Sequence, residues 1–290
     1  TSAEAEQLIA QHAERRAEID GRQDELHILH EEGQRLIAEQ PEHKPEVQRA
    51  HKRVQNSEHQ LRQTWEAEKA SLQRTLEWLQ WCDQAGMCER WLADKENLLK
   101  QGDIGDAPDA LLIKSHDAFE ETVKKQGEKL DKLKYDADKL LASDNEYRGD
   151  IEARCEEVLQ RHAAMLESSA KRRGLLCDSK KYHEFIRTCG ELITWINAKL
   201  QLAYDESYLD PTNLRAKLQK HLAFDSELTE NEKRLVAVEA QGEQLIKEKH
   251  FMSEQVRAQL GELRSGWDEL RTKSALKTQR LREAYEAHTL

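Results

Sequence analysis

Residues 221–246 read HLAFDSELTENEKRLVAVEAQGEQLI, and this stretch decides the fold. Alternating steps of three and four residues pick out His221, Phe224, Leu228, Asn231, Leu235, Val238, Gly242 and Leu245. Side chains at that spacing lie on one face of a helix, which packs against its neighbours at a shallow crossing angle. The stretch therefore predicts a helix with one seam inside a left-handed coiled-coil bundle.

The same stripe occurs twice more towards the N-terminus. A shift of 105 residues gives His116, Phe119, Val123, Gln126, Leu130, Leu133, Ala137 and Leu140, and a shift of 209 gives His12, Arg15, Ile19, Arg22, Leu26, Leu29, Gly33 and Leu36. Trp91 and Trp195, which are 104 residues apart, mark the same period. We interpret Asn231, Gln126 and Arg22 as one interior polar site that helps to fix the register. A period this long predicts three-helix units that follow one another along the polypeptide.

The composition suits a narrow helical bundle better than a thick globular core. Of the 290 residues, 35% are charged, 38% are hydrophobic and 6% are aromatic, with only 12 glycines and 4 prolines. A thin apolar seam needs few hydrophobic residues, and a scarcity of helix breakers permits long helices. The net charge of -11 makes nucleic acid and anionic lipid poor partners.

The cysteines indicate a reducing compartment. Cys82, Cys88, Cys155, Cys177 and Cys189 form no CxxC pair and lie within predicted helices, where free cysteine is a small apolar filler. No apolar stretch approaches the roughly 18 residues that cross a bilayer, and no signal peptide opens the chain. We therefore expect a cytosolic protein without a transmembrane segment.

The period divides the chain into three copies, named here by their predicted ranges. The first copy (1–76) holds only the second and third helices of a unit, whereas the second copy (77–180) and the third copy (181–290) are complete. Thr1 and Glu4 are typical of a capping box at the start of a middle helix, so the helix before it is expected to be missing. Capping acids next to a proline, in Asp106-Ala107-Pro108 and Asp210-Pro211, predict where the other middle helices begin.

A short polar break and a third helix follow each middle helix. The break spans 39–45 in the first copy and lies near Lys249-His250 in the third copy. The third-helix pairs that we interpret as equivalent are Leu61 with Trp65, Leu159 with Ala163, and Leu263 with Trp267. Because alanine is smaller than tryptophan, the second copy is expected to have a thinner core at this level.

The junctions between copies predict continuous linker helices. Residues 46–85 contain neither glycine nor proline, so one helix can run from the first copy to Trp91. From 150 to 202 only Gly174 and Gly190 interrupt the pattern. An interior glycine costs about 1 kcal/mol relative to alanine, so we expect the second linker to be more flexible. Continuous linkers would make the chain an elongated rod.

The apolar stripes supply a candidate core and no candidate catalytic site. The predicted core residues are Trp65, Trp91, Phe119, Leu130, Leu140, Trp195, Phe224, Leu228, Leu235, Leu245 and Trp267. His27 and His30 share a helical face, but no third ligand is identifiable, so we interpret them as a solvated pair. Residues 144–155 resemble a calcium loop in part, yet Cys155 stands where a glutamate is required. We predict no metal, no cofactor and no enzymatic activity.

Two further groups of polar residues have structural interpretations. His12, His116 and His221 recur on the seam, which favours packed and hydrogen-bonded histidines over metal ligands. The basic cluster Lys171-Arg172-Arg173 is typical of a solvated helix face. Neither group therefore indicates a chemical site.

Several stretches resemble the spectrin repeat, a three-helix coiled-coil unit. The first helices read CERWL at 88–92 and LITWI at 192–196, like the tryptophan motif of that family. The middle helices read LIKSHDAF at 112–119 and LQKHLAF at 218–224, like its LxxKHxxF motif. The resemblance covers essentially the whole chain. The run DESYLDPTNL at 205–214 is similar to α chains of spectrin slightly more than to β chains.

The resemblance implies a function that depends on length and surface. It implies a structural rod segment that is an elastic spacer and a docking surface in an actin-linked meshwork under the plasma membrane. A complementary spectrin chain would pair with it laterally and antiparallel, and any link to actin would be indirect. The departures from the family pattern are Arg15 in place of an aromatic residue and Ala163 in place of tryptophan.

Other functions are open on the residues alone. One alternative is a dedicated docking module of a β chain for an adaptor such as ankyrin, with the 39–45 break as the first place to look. A second alternative is a lipid-binding or scaffolding helical array. An enzyme is the third, and it would need a closed polar pocket.

Overall fold

The computed structural model describes residues 1–102 and 109–289, and it is built from helices. The helices are α1 (Ser2–Gly21), α2 (Gln23–Glu39), α3 (Lys44–Gln101), α4 (Asp109–Leu141), α5 (Arg148–Ala203), α6 (Leu214–Lys247) and α7 (Ser253–Thr289). Two 3-10 turns, Pro41–His43 and Ser207–Leu209, precede α3 and α6. No strand occurs in the described ranges. The predicted all-α fold is confirmed.

The chain divides into two compact units. The first comprises Thr1–Gly102 and Phe119–Ser169, and the second comprises Asp103–Ala118 and Ala170–Leu290. The first unit contains the first copy and the main core of the second copy, and the second unit contains the third copy. The predicted boundaries of the three copies stay a prediction.

The two linker helices are continuous, as the sequence predicts. The helix α3 contains 58 residues and passes through the stretch 46–85 without a break. The helix α5 contains 56 residues and passes through Gly174 and Gly190. The backbone of both glycines is helical, so the missing side chains do not end the helix.

One predicted helix cap, at Thr1, is present in the structure, and another, at Asp210, is not. The Thr1 side chain accepts a hydrogen bond from the backbone N–H of Glu4, which completes the predicted capping box. The predicted cap at Asp210 is wrong, because α6 begins four residues later, after Asn213 with a φ of 56°. The Asp210 carboxylate instead accepts a hydrogen bond of 3.1 Å from the backbone N–H of Thr212, which forms a local turn at 210–212. The predicted cap at Asp106-Ala107-Pro108 lies outside the described residues.

The middle helix of the first copy is interrupted where the sequence predicts continuity. The helix α1 ends at Gly21 and α2 begins at Gln23, and the N–H of Arg22 bonds to the carbonyl groups of Asp20 and Ile19. Arg22 was expected at an interior polar site, and that prediction is wrong: its side chain is 70% exposed. No helix covers the seam at this level within the described part of the first copy, so the guanidinium stays in water.

The other two members of that polar site lie inside their bundles. Gln126 is buried and its Nε2 lies 4.0 Å from Sγ of Cys88. Asn231 is half-buried and donates from Nδ2 to the backbone oxygen of Glu227 at 2.9 Å. These side chains find partners inside a closed bundle, as a buried polar group requires.

The second and third copies each contain a separate apolar core. The second-copy core comprises Trp81, Ala85, Cys88, Leu92, Val123, Leu130, Leu133, Ala137, Ile151, Cys155, Val158 and Met165. The third-copy core comprises Phe185, Cys189, Leu192, Ile196, Leu200, Ala203, Leu228, Leu235, Val238, Leu245, Val256, Leu263, Trp267 and Leu270. Residues from three helical segments contribute to each core, so each has the composition of a three-helix bundle.

The predicted core residues fall into two burial classes. Those that are buried are Trp65, Leu130, Leu228, Leu235, Leu245 and Trp267. Those that are half-buried and pack against the edge of a core are Trp91, Phe119, Leu140, Trp195 and Phe224. Sequence reasoning missed Trp81, which is 3% exposed and donates from Nε1 to the backbone oxygen of Leu133 at 3.0 Å.

Two seam histidines define the register between the second and third helices of a copy. His12 is buried and donates from Nε2 to the backbone oxygen of Trp65 at 2.8 Å. His221 is buried and donates from Nε2 to the backbone oxygen of Ser274 at 2.9 Å. Both pairs span 53 residues, so Trp65 and Ser274 are equivalent positions. The predicted packed, hydrogen-bonded state of these two histidines is confirmed.

This register corrects the sequence alignment of the third helices. The pairing of Leu61–Trp65 with Leu263–Trp267 is wrong by seven residues, because a heptad pattern looks the same after a shift of one heptad. The equivalents of Leu270 and Trp267 in the first copy are Leu61 and Glu58. In the second copy the shift of 105 residues that relates His116 to His221 places His162, rather than Ala163, at the Trp267 position.

Candidate functional site

A groove runs along the first copy between the helices α1 and α2 on one side and the first half of α3 on the other. Its volume is about 960 Å³. The apolar residues that line it are Ile19, Leu26, Ala50, Val54, Leu61 and Trp65. The charged residues that line it are Arg15, Glu18, Arg22, Glu25, Arg53, Glu58 and Glu68. The lining of the groove therefore combines apolar side chains with charged ones of both signs.

The groove is open because two helices cannot enclose the seam between them. Within α2, from Gln23 to Glu39, no residue is buried. Leu61 is 52% exposed, whereas its third-copy equivalent Leu270 is completely buried. The exposed fractions of Ile28 and Leu29 are also about one half. The first copy thus presents the apolar face that a third helix covers in the third copy.

One end of the groove is closed by a reciprocal contact between α1 and α3. The rings of His12 and Trp65 stack with a centroid separation of 4.6 Å and an interplanar angle of 7°. Trp65 Nε1 donates to the backbone oxygen of His12 at 2.8 Å, which returns the hydrogen bond from His12 Nε2. The Arg16 guanidinium lies 4.8 Å from the Trp65 ring centroid. These contacts hold α1 against α3 at this end of the groove.

Two arginine–glutamate pairs lie along the second copy between α3 and α5. Arg154 bonds to both carboxylate oxygens of Glu89 at 3.1 Å, and Arg161 bonds to both oxygens of Glu96 at 2.9 and 3.2 Å. These planar two-point contacts are stronger and more directional than single ion pairs. Sequence reasoning missed them, although the matched seven-residue spacing of the two glutamates and the two arginines was a usable signal.

The cysteines have structural environments. Burial raises the pKa of the Cys189 thiol to about 11, and it also raises the pKa of Cys88 and Cys155. A raised pKa leaves little thiolate at neutral pH, so these thiols are poor nucleophiles. All five cysteines are free. The prediction of apolar fillers agrees with the burial of Cys88, Cys155 and Cys189, whereas Cys82 and Cys177 are half-buried.

The two candidate metal sites have ordinary side-chain contacts. His27 lies 3.3 Å from a carboxylate oxygen of Glu31, and the ring of His30 packs on His51 with a centroid separation of 4.6 Å. Across residues 1–102 and 109–289, no group of three or more histidine, cysteine, aspartate and glutamate side chains could hold a metal ion. At 144–155, the Asn145 side chain accepts the backbone N–H of Tyr147 and α5 follows, which is the predicted interhelical turn.

The described helices are unlike membrane spans. Among residues 1–102 and 109–289, no helix combines enough length with enough apolar character to cross a bilayer.

Comparison with known proteins places this geometry among characterised repeats. A family model described as "Spectrin repeat" matches residues 76–178 and 180–283. The chain is 31% identical over 284 residues to the mouse protein "Spectrin alpha chain, erythrocytic 1" and 29% identical over 289 residues to the mouse protein "Spectrin beta chain, erythrocytic". It is 27% identical over 286 residues to the human protein "Spectrin beta chain, non-erythrocytic 5".

These matches cover nearly all of this chain and a small part of each relative. They extend over 97%, 97% and 98% of the chain, but over 12%, 13% and 8% of the relatives' own lengths. The chain therefore spans about an eighth or less of the relatives that it matches.

Proposed function

Because the chain belongs to the spectrin repeat family, we propose that it is a structural segment of a cytoskeletal rod. It serves as an elastic spacer and as a docking surface in an actin-linked, membrane-associated meshwork. The family is structural and non-enzymatic, and we extend that property to this chain. Its place in the cell is the cytoplasmic cytoskeleton, at the inner face of the plasma membrane.

The observation that carries this proposal is the succession of two separate cores. The helix α5 contributes Ile151 and Val158 to the second-copy core and Phe185 and Ile196 to the third-copy core. Since each core has its own buried residues, one can open while the other stays folded. A chain of such units lengthens stepwise under load and shortens when the load is released.

Single-molecule pulling of the chain tests the elastic role. We expect separate unfolding events for the second and third copies. Each event should release roughly 300 Å of contour length, the extended length of about 104 residues less a folded helix about 50 Å long. The variant Leu235→Ala, which changes only the third copy, should lower the force of one event and leave the other. One event that releases the whole chain at once would contradict the proposal.

An elongated shape is the second requirement of a spacer. A globular chain of this length has a radius of gyration of about 19 Å. We expect small-angle scattering to give a value well above that, with a largest dimension on the order of 100 Å or more, since each copy is about 50 Å long. A compact particle would rule out the spacer role.

Lateral pairing is the partner interaction that we propose. The partner is a complementary spectrin chain in antiparallel orientation, and a link to actin is indirect. We propose adaptors such as ankyrin as further partners, and the same experiment includes them as probes. Sedimentation of this chain with matched segments of an α and a β chain is expected to give a complex with one of them. Equal binding to both, or to neither, would contradict chain-specific pairing.

A further inference from the structure

We propose that His250 makes the turn between α6 and α7 sensitive to acid. Its ring forms a clasp, which we define as two hydrogen bonds, one with Met252 inside the turn and one with Asp178 of α5. The clasp is closed at neutral pH and opens in weak acid. The corresponding turn between α4 and α5 has Asn145 at this place, and an amide does not titrate. Acid therefore loosens one of the two turns and leaves the other unchanged.

The two turns have the same backbone construction, 105 residues apart. In the second copy the backbone N–H of Arg148 bonds to the backbone oxygen of Asn145 at 3.2 Å. In the third copy the N–H of Ser253 bonds to the oxygen of His250 at 3.1 Å. Asn145 and His250 are both buried. The two residues therefore occupy equivalent positions, and one of them titrates.

In both turns the side chain at this position accepts the backbone N–H two residues further on. Oδ1 of Asn145 accepts the N–H of Tyr147 at 2.8 Å, and Nδ1 of His250 accepts the N–H of Met252 at 3.0 Å. A ring nitrogen accepts only while it carries no proton, so the single proton of the neutral His250 ring lies on Nε2. Nε2 donates this proton to the backbone oxygen of Asp178 at 2.7 Å.

A second proton on the His250 ring is incompatible with the clasp. The proton adds to Nδ1, which then directs an N–H group at the N–H of Met252 and can no longer accept from it. His250 is only 7% exposed, so water does not readily replace the lost partner while the ring stays in the turn. A charged ring is satisfied by moving into water, and its bond to Asp178 is then lost as well. The clasp therefore requires a neutral ring.

The turn of the second copy is held to its long helix by contacts that keep their charge between pH 5 and 8. The rings of Tyr147 and Trp78 of α3 stack with a centroid separation of 4.0 Å, and the Tyr147 hydroxyl lies 3.1 Å from Oγ1 of Thr75. Tyr182 of α5 stands 104 residues after Trp78, and its ring centroid lies 6.1 Å from that of His250. The aromatic contact is thus looser in the third copy, which gives the hydrogen bonds of His250 a larger share in holding the turn.

The acid that faces His250 does not reverse this effect. Glu248, directly after α6, interacts electrostatically with His250 and would attract a protonated ring. Its side chain is 41% exposed and lies 3.6 Å from the Lys181 ammonium of α5, so water and a cation both weaken the attraction. The Met252 N–H, by contrast, loses its partner completely when the ring is protonated. The lost hydrogen bond therefore outweighs the screened attraction.

Two other charged pairs near the clasp do not explain an opening in acid. Glu254, in the first turn of α7, is exposed and pairs with Arg257 at 2.6 Å. Nδ1 of His183 on α5 lies 2.6 Å from a carboxylate oxygen of Asp109. A proton on His183 strengthens the attraction to that carboxylate, so its effect has the opposite sign to that of a proton on His250.

Amide hydrogen exchange of the whole chain at pH 7.5 and 5.5 tests the clasp. Imidazole in water takes up its proton near pH 6.5, so the protection factor of the Met252 amide should fall by up to about tenfold across this interval. The protection factor of the Tyr147 amide, the equivalent in the second copy, should stay unchanged. An equal fall at both amides, or no fall at Met252, would overturn the proposal.

Two variants separate the clasp from the other buried histidine of the third copy. His250→Asn places at this turn the residue that the second copy uses, so it keeps an acceptor for the Met252 N–H and should abolish the fall. His221→Gln is the matched control, because His221 bonds to Ser274 on the seam and not to the turn; the fall at Met252 should persist. A fall that survives His250→Asn, or one that disappears in His221→Gln, would contradict the role of His250.

Nitrogen-15 NMR of the wild-type chain with labelled histidine follows the ring itself, whether or not the variant retains its turn. The signals that are missing from His250→Asn identify His250. At pH 7.5 they should report a proton on Nε2 alone, and Nδ1 should gain its proton over the pH interval in which the Met252 amide loses protection. A proton on Nδ1 at neutral pH, or protonation without loss of protection, would overturn the proposal.

Discussion

The first and third copies share the same histidine contact between their second and third helices, but their seams differ in burial. His12 and His221 occupy equivalent positions, and both bond to a backbone oxygen 53 residues further on. Yet Leu61 is half exposed where Leu270 is completely buried. The contrast teaches that two helices in the correct register do not make a core. A third helix is needed to remove the seam from water.

The two seams differ in polarity at two equivalent positions. Where the third copy has Phe224 and Trp267, the first copy has Arg15 and Glu58. Glu58 pairs with Arg62 at 3.2 Å on the surface of α3, whereas Trp267 is 2% exposed. Charged residues are stable at these positions only while water or a charged partner reaches them.

The largest expected effect comes from truncating matched leucines in the two copies. Leu235→Ala removes a residue that is 1% exposed, so it should lower the free energy of unfolding of the third copy by about 3 kcal/mol. Leu26→Ala changes the equivalent, half-buried residue and should cost about 1 kcal/mol or less, because little apolar surface is lost. Hydrogen exchange of α6, which contains Leu235, and of α2, which contains Leu26, measures each copy separately. Equal costs would remove the contrast between closed and open seams.

A smaller effect is expected where a glycine allows close approach of helices. An added Cβ at Gly242 would lie 2.9 Å from Phe185 and Leu260 side-chain atoms, so Gly242→Ala should destabilise the third copy by about 1–2 kcal/mol despite its better helix propensity. At the equivalent Gly33 the added Cβ would meet the far end of the His51 side chain, a half-buried ring that can turn towards water. Gly33→Ala should therefore be nearly neutral by urea denaturation.

Gly174→Ala is the matched control for these glycine variants, because the space around it in α5 is open. It should stabilise the helix by up to about 1 kcal/mol. If Gly242→Ala stabilised the protein by the same amount, the inference that α6 packs closely against its neighbours at Gly242 would be wrong.

An acid-dependent loss of stability is expected in the third copy. Burial lowers the pKa of His221 below its ordinary value of 6.5, so the folded state favours the neutral ring and the unfolded chain takes up the proton first. Stability is therefore complete above about pH 6.5 and falls as the pH decreases below it, by at most about 1.4 kcal/mol per pH unit for one proton. Denaturation at pH 7.5 and 5.5 measures the change. His221→Gln should flatten it, and an unchanged slope would assign the effect to other groups.

The smallest expected effect concerns the ion pairs of the second copy. Glu96→Gln removes one charge of the pair with Arg161. The Arg161 side chain is 28% exposed and the Glu96 side chain is 34% exposed. Because water screens such a pair, the cost should be about 0.5–1 kcal/mol and should decline in high salt. Glu66→Gln, at a more exposed pair with Arg16, is the control and should cost less. A salt-independent loss would indicate packing rather than charge.

The sequence predicted the fold through its longest-range regularity. The 3–4 spacing of the stripe that begins at His221 predicted the seam of a coiled-coil helix. Its recurrence at His116 and His12 predicted the tandem units. The linker helices followed from the absence of breakers in 46–85. The resemblance to the spectrin repeat is confirmed by the family match over 76–178 and 180–283.

The sequence could not predict features that depend on which neighbour lies across the seam. A heptad pattern cannot distinguish a shift of seven residues, so Trp65 was matched to Trp267 instead of Ser274. Arg22 shares its stripe position with Gln126, and only the open groove puts its side chain in water. The Asp210 cap failed because a turn within 210–212 competes locally with the start of the helix.

The atom that receives each seam histidine has a consequence for how such chains evolve. Trp65 and Ser274 have nothing in common as side chains, but each offers the same main-chain oxygen. An acceptor that every amino acid carries cannot be lost by point mutation. A substitution at that place therefore keeps this acceptor for the histidine, whatever other contacts its side chain makes or loses.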